Sequence, residues 1–247
     1  MLSTVLLVSH GSRDRRPQLV VNRLAQQLSD RLKVEKGWNG LTDSLVGSAV
    51  LELGPTPLSV QIQQFAKYSL SLGINRVQIL PLFLLPGVHV REDIPTEVEL
   101  AQKFLGREIQ LELQPYLGRE VNQLARLLEA LKRGYYVDAW VLLSHGSRRA
   151  GGNEAIADIA DKIKAAVAYW SVPPHVESRV EELLEAGYDR IGILPYFLFS
   201  GRTTDAIADV VANLGDRFPH SQLHLTPPLD HSTHLGDLIC TWAKSYL

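Results

Sequence analysis

Residues 6–13, which read LLVSHGSR, return almost unchanged as residues 141–148, VLLSHGSR. Each copy is an aliphatic run that stops at a histidine and a glycine and then becomes basic. An apolar run of this length, followed by turn residues, favours a strand buried on both faces. Because the same stretch occurs twice in one chain, it predicts two copies of one structural unit.

Two further stretches repeat in the same order. Residues 76–84 (RVQILPLFL) match residues 190–198 (RIGILPYFL), and residues 110–115 (QLELQP) match residues 222–227 (QLHLTP). A common order of matching stretches is the mark of an internal duplication. The duplication divides the chain into predicted domains at residues 1–134 and 135–247, the second of which is a degenerate repeat.

Strands and amphipathic helices alternate along each copy. In the first copy, short apolar runs predict strands over residues 4–9, 45–53, 76–83 and 108–114. Strands that alternate with helices indicate a parallel sheet with helices on both faces. The predicted fold class is therefore α/β, with two tandem domains that each contain a four-stranded parallel sheet.

Local signals predict two of the helices. The helix after the first strand of the second copy is marked by Ile156, Ile159, Ile163 and Val167. In the first copy, residues 84–91 read as a loop, after which Asp93 can cap a helix that has Pro95 near its start.

Composition excludes several classes of protein. The 247 residues are 45% apolar and 21% charged, which is typical of a globular chain with a real core. The formal net charge of −2 argues against binding to nucleic acid. A single cysteine, Cys240, excludes an internal disulfide. We find neither a signal-peptide pattern nor a run of about 18 apolar residues, so the sequence predicts a cytoplasmic protein without membrane contact.

Three chemically reactive residues follow three different predicted strands. His10 follows the first strand, Glu52 ends the second, and His89 lies in the loop after the third. In parallel sheets the carboxyl ends of the strands form one edge, where ligands bind. Two imidazoles and a carboxylate suit a divalent ion such as Fe²⁺ or Co²⁺, and they equally suit proton transfer near neutral pH. Each residue alone has an ordinary structural explanation, but their convergence favours a site.

The residues at this edge lie in motifs that resemble those of the class II chelatases. The motifs are residues 8–14 (VSHGSRD), 51–53 (LEL) and 80–95 (LPLFLLPGVHVREDIP). Within that family the similarity is to the sirohydrochlorin cobaltochelatase/ferrochelatase group, and it extends over both halves of the chain. The resemblance implies two flavodoxin-like domains that face each other across a cleft holding a tetrapyrrole, with metal inserted without a nucleotide.

The same resemblance implies roles for the three residues. His10 and His89 would bind the metal and act as acid/base residues, and Glu52 would assist metal binding or proton removal. The chemistry agrees, because insertion displaces two pyrrole N–H protons and needs nearby proton acceptors. An open set of ligands also lets the ion leave, unlike a closed cysteine cage.

No organic cofactor is expected, and the metal is a substrate. The sequence does not choose between Fe²⁺, Co²⁺ and Ni²⁺, or between sirohaem and cobalamin synthesis, because these ligands accept all three ions.

The expected substrate, sirohydrochlorin or a related tetrapyrrole, carries many carboxylates. Guanidinium groups pair with carboxylates through two parallel hydrogen bonds, and arginines are frequent near the predicted strand ends. The candidate substrate-binding residues are Ser12, Arg13, Arg91, His145, Arg148 and Arg202. The alternative for any one of these arginines is ordinary solvated charge.

The two halves are not chemically equivalent. Matching the repeats places Thr203 opposite His89, and residues 169–171 (YWS) opposite residues 51–53 (LEL). The second half therefore keeps His145 but lacks its two partners, which predicts one metal site, in the N-terminal half. His145 contacts the substrate, shuttles a proton from the other side of the cleft, or only completes its Ser-His-Gly turn. Because both halves are fused, we expect a monomer with an internal pseudo-two-fold axis.

Two other functions fit parts of this pattern. A histidine beside arginines after a first strand also suits a histidine-dependent phosphoryl hydrolase. A non-catalytic tetrapyrrole or metal carrier would use the same edge for binding alone.

Overall fold

The computed structural model describes residues 3–35 and 45–247. Within this part of the chain, eight strands form two parallel sheets. The strands are β1 (Thr4–Ser9), β2 (Val46–Val50), β3 (Arg76–Pro81), β4 (Gln110–Leu113), β5 (Ala139–Ser144), β6 (Ala166–Tyr169), β7 (Arg190–Pro195) and β8 (Gln222–Leu225). The strand order is β2-β1-β3-β4 in the first sheet and β6-β5-β7-β8 in the second. The identical order confirms both the α/β class and the duplication.

Eight α-helices connect the strands in the same described part of the chain. They are α1 (Arg16–Glu35), α2 (Leu58–Ser71), α3 (Ile94–Leu105), α4 (Val121–Lys132), α5 (Glu154–Lys162), α6 (Val176–Glu185), α7 (Arg202–Arg217) and α8 (Leu235–Lys244). Three short turns complete the secondary structure of the described residues: a π-helical turn at His89–Asp93 and 3₁₀ turns at Leu117–Arg119 and Leu229–His231. None of the described helices has the length and apolar character needed to cross a membrane.

Helices cover both faces of the first sheet, which is why residues 5–8 of its central strand β1 are all apolar. Leu6 and Val8 of β1 point to the face packed by α2 and α3. Residues 5–8 are at most 1% exposed, and Leu28 of α1 is fully buried. Burying one such side chain stabilises the folded state by about 1.5–3 kcal/mol. These contacts hold β1 at the centre of the core of the first sheet.

The chain forms two compact units whose limits differ from those of the sequence repeats. Residues 1–119 and 236–247 make up the first unit, and residues 120–235 the second. Helix α4, which ends the first repeat, packs against α5 and β7 of the second unit. Helix α8, which ends the second repeat, belongs to the first unit, where Asp237 forms an ion pair with Arg31 of α1. Each unit therefore takes its closing helix from the other repeat.

The predicted helix through Val167 is wrong at its end. Helix α5 ends at Lys162, Lys164 has a left-handed backbone (φ +53°), and Val167 lies in β6 opposite Leu142. The left-handed residue stops the helix because side-chain sterics disfavour that conformation within a helix. Val167 continues the helical spacing of the isoleucines only by coincidence.

Several further boundaries differ from the sequence prediction, two of them at candidate residues. Strand β2 ends at Val50, so Glu52 lies two residues beyond the strand rather than at its end. Residues 89–91, predicted as loop, belong to the π-helical turn that runs directly into α3. Asp93 has helical backbone angles and makes no side-chain capping hydrogen bond. Pro95 lies in the first turn of α3, as predicted.

The outer half of the first sheet carries a partly buried polar network. Arg76 donates two hydrogen bonds to Glu112, at 2.6 and 2.7 Å, and the fully buried Gln78 donates another at 2.8 Å. The Arg76 guanidinium holds the pKa of Glu112 below its usual value of 4.5, against the opposing effect of burial.

We predict that this ion pair makes stability depend on pH. A carboxylate with a lowered folded-state pKa stabilises the fold above its unfolded-state pKa, and this contribution is lost as the pH falls through the folded-state pKa. Glu112→Gln should therefore lower the free energy of unfolding at neutral pH, and its difference from wild type should shrink below about pH 4. Urea unfolding at both pH values measures this. A difference that stays constant with pH would contradict it.

Candidate functional site

His10 lies at the first position after β1, and its ring is oriented by the backbone. The side chain is exposed, and Nδ1 lies 3.2 Å from the carbonyl oxygen of Gly11. Since a carbonyl oxygen only accepts hydrogen bonds, Nδ1 must carry the hydrogen in this contact. The other nitrogen, Nε2, is then left with a free lone pair, which is the form of imidazole that binds a metal ion or takes up a proton.

The turn after β1 is joined closely to the turn after β2. The Leu51 N–H donates to the Ser9 carbonyl and the Glu52 N–H to the His10 carbonyl, each at 2.9 Å. Gly11 has a φ of +95°, and a Cβ atom at this position would lie 1.9 Å from the Glu52 carbonyl oxygen. Only glycine fits both the backbone angle and the close approach, so Gly11 sets the distance between these two turns.

His89 comes to the same edge from the π-helical turn after β3. Its ring centroid lies 4.7 Å from that of His10, with the two rings nearly perpendicular. The Phe83 ring lies 6.2 Å from His10 and 6.1 Å from His89, so one half-buried aromatic ring flanks both imidazoles. His89 Nδ1 lies 2.7 Å from a carboxylate oxygen of Asp93. The predicted convergence of the two histidines at one sheet edge is therefore present in the structure.

Glu52 is the member of the predicted trio that the structure does not bring to the imidazoles. Its backbone bonds to His10, but its side chain is exposed. Across residues 3–35 and 45–247, no three His, Cys, Asp or Glu side chains converge closely enough to hold a metal ion. The pair of histidines is assembled, and the participation of Glu52 as a third ligand stays a prediction.

A strained residue follows Glu52 directly. Leu53 has a left-handed backbone, with φ +58°, and its side chain is 60% exposed. This conformation costs a residue with a Cβ about 1–2 kcal/mol. Strain of this kind concentrates at functional sites, and here it lies at the strand edge that carries the two histidines.

Two ionisable residues at this edge, Tyr116 and Asp93, were not predicted as candidate site residues from the sequence. Tyr116 follows β4, where burial raises its pKa and the positive charges of Arg119 and Arg91 oppose that shift. Asp93 was predicted as a helix cap, but its carboxylate contacts His89 instead. Applying the strand-end rule to β4 would have found Tyr116, because only Gln114 and Pro115 separate it from the strand.

The candidate substrate-binding residues of the first unit are exposed. Arg13 and Arg91 lie at the surface, and the Ser12 hydroxyl accepts a hydrogen bond from the Asp14 N–H at 3.0 Å. Nearby Arg16 donates to Asp14 through two nitrogens, at 2.6 and 3.0 Å. An arginine held in this way has a structural partner, which distinguishes Arg16 from Arg13.

The second unit repeats the backbone of this edge but not its side chains. His145 is exposed, and the Ser171 N–H donates to its carbonyl at 2.9 Å, just as Glu52 does to His10. Ser171 is thus the equivalent of Glu52, one residue from the position that the sequence match gave. Thr203, the counterpart of His89, lies in the first turn of α7. Arg148 and Arg202 are exposed in the same unit.

Fold and site together define a class: a duplicated parallel α/β protein whose first unit presents paired imidazoles at the carboxyl edge of its sheet. A family model described as CbiX matches the chain twice, over residues 4–133 and 139–245. The chain therefore belongs to the CbiX family. The match covers both repeats and confirms the resemblance inferred from the motifs.

Individual relatives agree with this family. The chain is 26% identical over 227 residues to the sirohydrochlorin ferrochelatase of Priestia megaterium, which covers 86% of this chain and 79% of the relative. It is 31% identical over 94 residues to the sirohydrochlorin cobaltochelatase of Methanopyrus kandleri, covering 37% of this chain and 54% of that protein. The solved structure of SirB from Bacillus subtilis with Fe³⁺ has the same fold, with a TM-score of 0.78, 19% identity and coverage of 99% and 95%.

Proposed function

We propose that this protein inserts a divalent metal ion, Fe²⁺ or Co²⁺, into sirohydrochlorin or a closely related polycarboxylate tetrapyrrole. The observation that carries the proposal is the His10–His89 pair, in which both Nδ1 atoms have hydrogen-bond acceptors and both Nε2 atoms remain available. Membership of the CbiX family and the relatives named as sirohydrochlorin chelatases supply the substrate class.

His10 and His89 bind the incoming ion through their Nε2 atoms. Imidazole nitrogen is a good ligand for Fe²⁺, Co²⁺ and Ni²⁺ alike. The exposed Glu52 carboxylate reaches the ion by side-chain rotation, since its backbone is already bonded to that of His10. A few protein ligands leave coordination positions open for the macrocycle nitrogens, which then take over the ion.

The same groups remove the two protons that the metal replaces. Each metal ion that enters the macrocycle displaces two pyrrole N–H protons, so the reaction needs two acceptors near the ring. Neutral imidazole and carboxylate accept protons near neutral pH. A histidine that takes a proton on Nε2 loses the lone pair that held the metal, so proton removal and metal release favour each other.

The peripheral carboxylates of the substrate are bound by exposed cationic and hydroxyl groups. Arg13, Arg91 and Ser12 serve this role in the first unit, and Arg148 and Arg202 in the second. His145, which lacks the partners of His10, only completes its turn. Arg91 lies two residues from His89, so carboxylate binding there would place the ring close to the metal ligands.

An insertion assay tests this function. Purified protein is mixed under anaerobic conditions with sirohydrochlorin and Fe²⁺, Co²⁺ or Ni²⁺, and the absorption spectrum is followed against a protein-free sample. We expect multiple turnovers and a rate above the spontaneous one for Fe²⁺ or Co²⁺. Equal rates with and without protein would overturn the proposal. A single stoichiometric binding event without product release would identify a carrier instead.

A further inference from the structure

The Asp93 carboxylate forms a hydrogen bond with His89 and not with the backbone of α3, the helix that it precedes. Its oxygen lies 2.7 Å from His89 Nδ1, and both side chains are partly exposed. Asp93 continues the helical backbone and makes no capping hydrogen bond to α3. The π-helical turn, in which the Ile94 N–H bonds to the His89 carbonyl, carries both residues.

We propose that Asp93 is a positioning residue that fixes the ring orientation and the tautomer of His89. This inference rests on the proposed metal-binding role of His89. An ionised carboxylate can only accept a hydrogen bond, so it holds the hydrogen on Nδ1 and keeps the lone pair on Nε2. Metal-binding histidines commonly donate their second N–H to such an outer partner, which also strengthens the metal–nitrogen bond.

The hydrogen bonds that the two histidines donate through Nδ1 differ in strength. His10 donates to the neutral carbonyl of Gly11 at 3.2 Å, whereas His89 donates to a charged carboxylate at 2.7 Å. Hydrogen bonds to an ionised acceptor are shorter and stronger than those between neutral groups. His89 is therefore the better oriented and stronger ligand, and His10 is the ligand that gives up the ion more easily.

The second unit has no equivalent of this pair. Counting from the matched strands β3 and β7, Thr203 stands in the place of His89 and Ile207 in the place of Asp93. Ile207 is fully buried in the apolar core of its unit. The i, i+4 pairing of histidine with aspartate occurs in the unit that holds both imidazoles, which is expected if Asp93 serves the site and not the fold.

The test uses the full chain and the variants Asp93→Ala, Asp93→Asn and Glu92→Gln. Glu92 is an exposed carboxylate in the same turn, so Glu92→Gln removes the same charge without removing the His89 partner. The tautomer of His89 is measured by long-range ¹H–¹⁵N correlation on ¹⁵N-histidine-labelled protein. Affinity for Co²⁺ alone is measured from its visible absorption, without tetrapyrrole.

In Asp93→Ala we expect the Nε2–H tautomer of His89 to appear and Co²⁺ affinity to fall by roughly 10–100-fold. Asp93→Asn keeps a neutral acceptor, so its Co²⁺ affinity should lie between those of Asp93→Ala and wild type. If Asp93→Ala fails to fold, Asp93→Asn takes its place in the test. Glu92→Gln should match wild type. Unchanged tautomer and Co²⁺ affinity in the Asp93 variants would overturn the inference. If wild type fails to insert metal but the tautomer and affinity shift as expected, the proposed function fails and the positioning role stands.

Discussion

Replacing either His10 or His89 with alanine is expected to slow metal insertion into sirohydrochlorin by about 10²–10⁴-fold, the usual effect of losing a positioned acid/base group. Each imidazole would supply both a metal ligand and a proton acceptor, so one substitution removes two functions. Because their rings lie only 4.7 Å apart, we expect both to act on one ion. The double variant should therefore be little slower than either single one, because residues that act as a unit have non-additive effects.

His145→Ala is the matched control for this prediction. His145 stands in the same Ser-His-Gly turn and is exposed like His10, but Ser171 and Thr203 replace the partners of His10 in the first unit. We expect its insertion rate to stay near that of wild type, as measured by the same absorption change. A loss as large as that of His10→Ala would contradict a single site in the first unit. Wild-type rates in both His10→Ala and His89→Ala would contradict the assignment of the site itself.

The fold and the histidine pair could be predicted from sequence because simple rules govern them. The stretch at residues 6–13 opens with three consecutive aliphatic residues, and in the structure β1 is buried between helices on both faces. The parallel arrangement then places all the strand exits at one edge. His10 and His89 are far apart in sequence, and this rule alone brings them together.

The partner of His89 could not be predicted in the same way. An aspartate before a helix with proline in its first turn has the pattern of a cap, and the same residue is also four positions after a histidine. Both contacts are local and both use the same carboxylate. The backbone decides between them: the turn at residues 89–93 is already helical, so Asp93 lies inside a helical run where no capping position exists.

The sequence also could not predict that each unit is closed by a helix from the other repeat. The amphipathic patterns of α4 and α8 indicate that each packs against a sheet. They do not specify which of the two sheets is covered, because both sheets are parallel and have the same strand order. In the structure α8 belongs to the first unit, where an exposed ion pair between Arg31 and Asp237 joins it to α1.

The second large effect is expected at Gly11, which contacts no substrate in the proposed mechanism. Gly11→Ala should lower the free energy of unfolding by on the order of 3 kcal/mol and should also abolish most insertion activity. The added Cβ meets the Glu52 carbonyl oxygen at 1.9 Å with φ at +95°. Backbone must therefore move, and the nearest backbone carries the hydrogen bond from Glu52 to His10.

Two other glycines separate the causes of this effect. Gly73 has a φ of +75° with open space around its Cβ position, so Gly73→Ala reports backbone strain alone, about 1 kcal/mol. Gly146, the counterpart of Gly11, has a φ of +82°, and its added Cβ would meet side-chain atoms of Val172 and Tyr169 at 2.7 and 2.8 Å. Gly146→Ala should lose stability like Gly11→Ala but retain insertion in its folded fraction. If Gly11→Ala were as stable as Gly73→Ala, or as active as Gly146→Ala, then the close packing of these two turns would not be what positions His10 and Glu52.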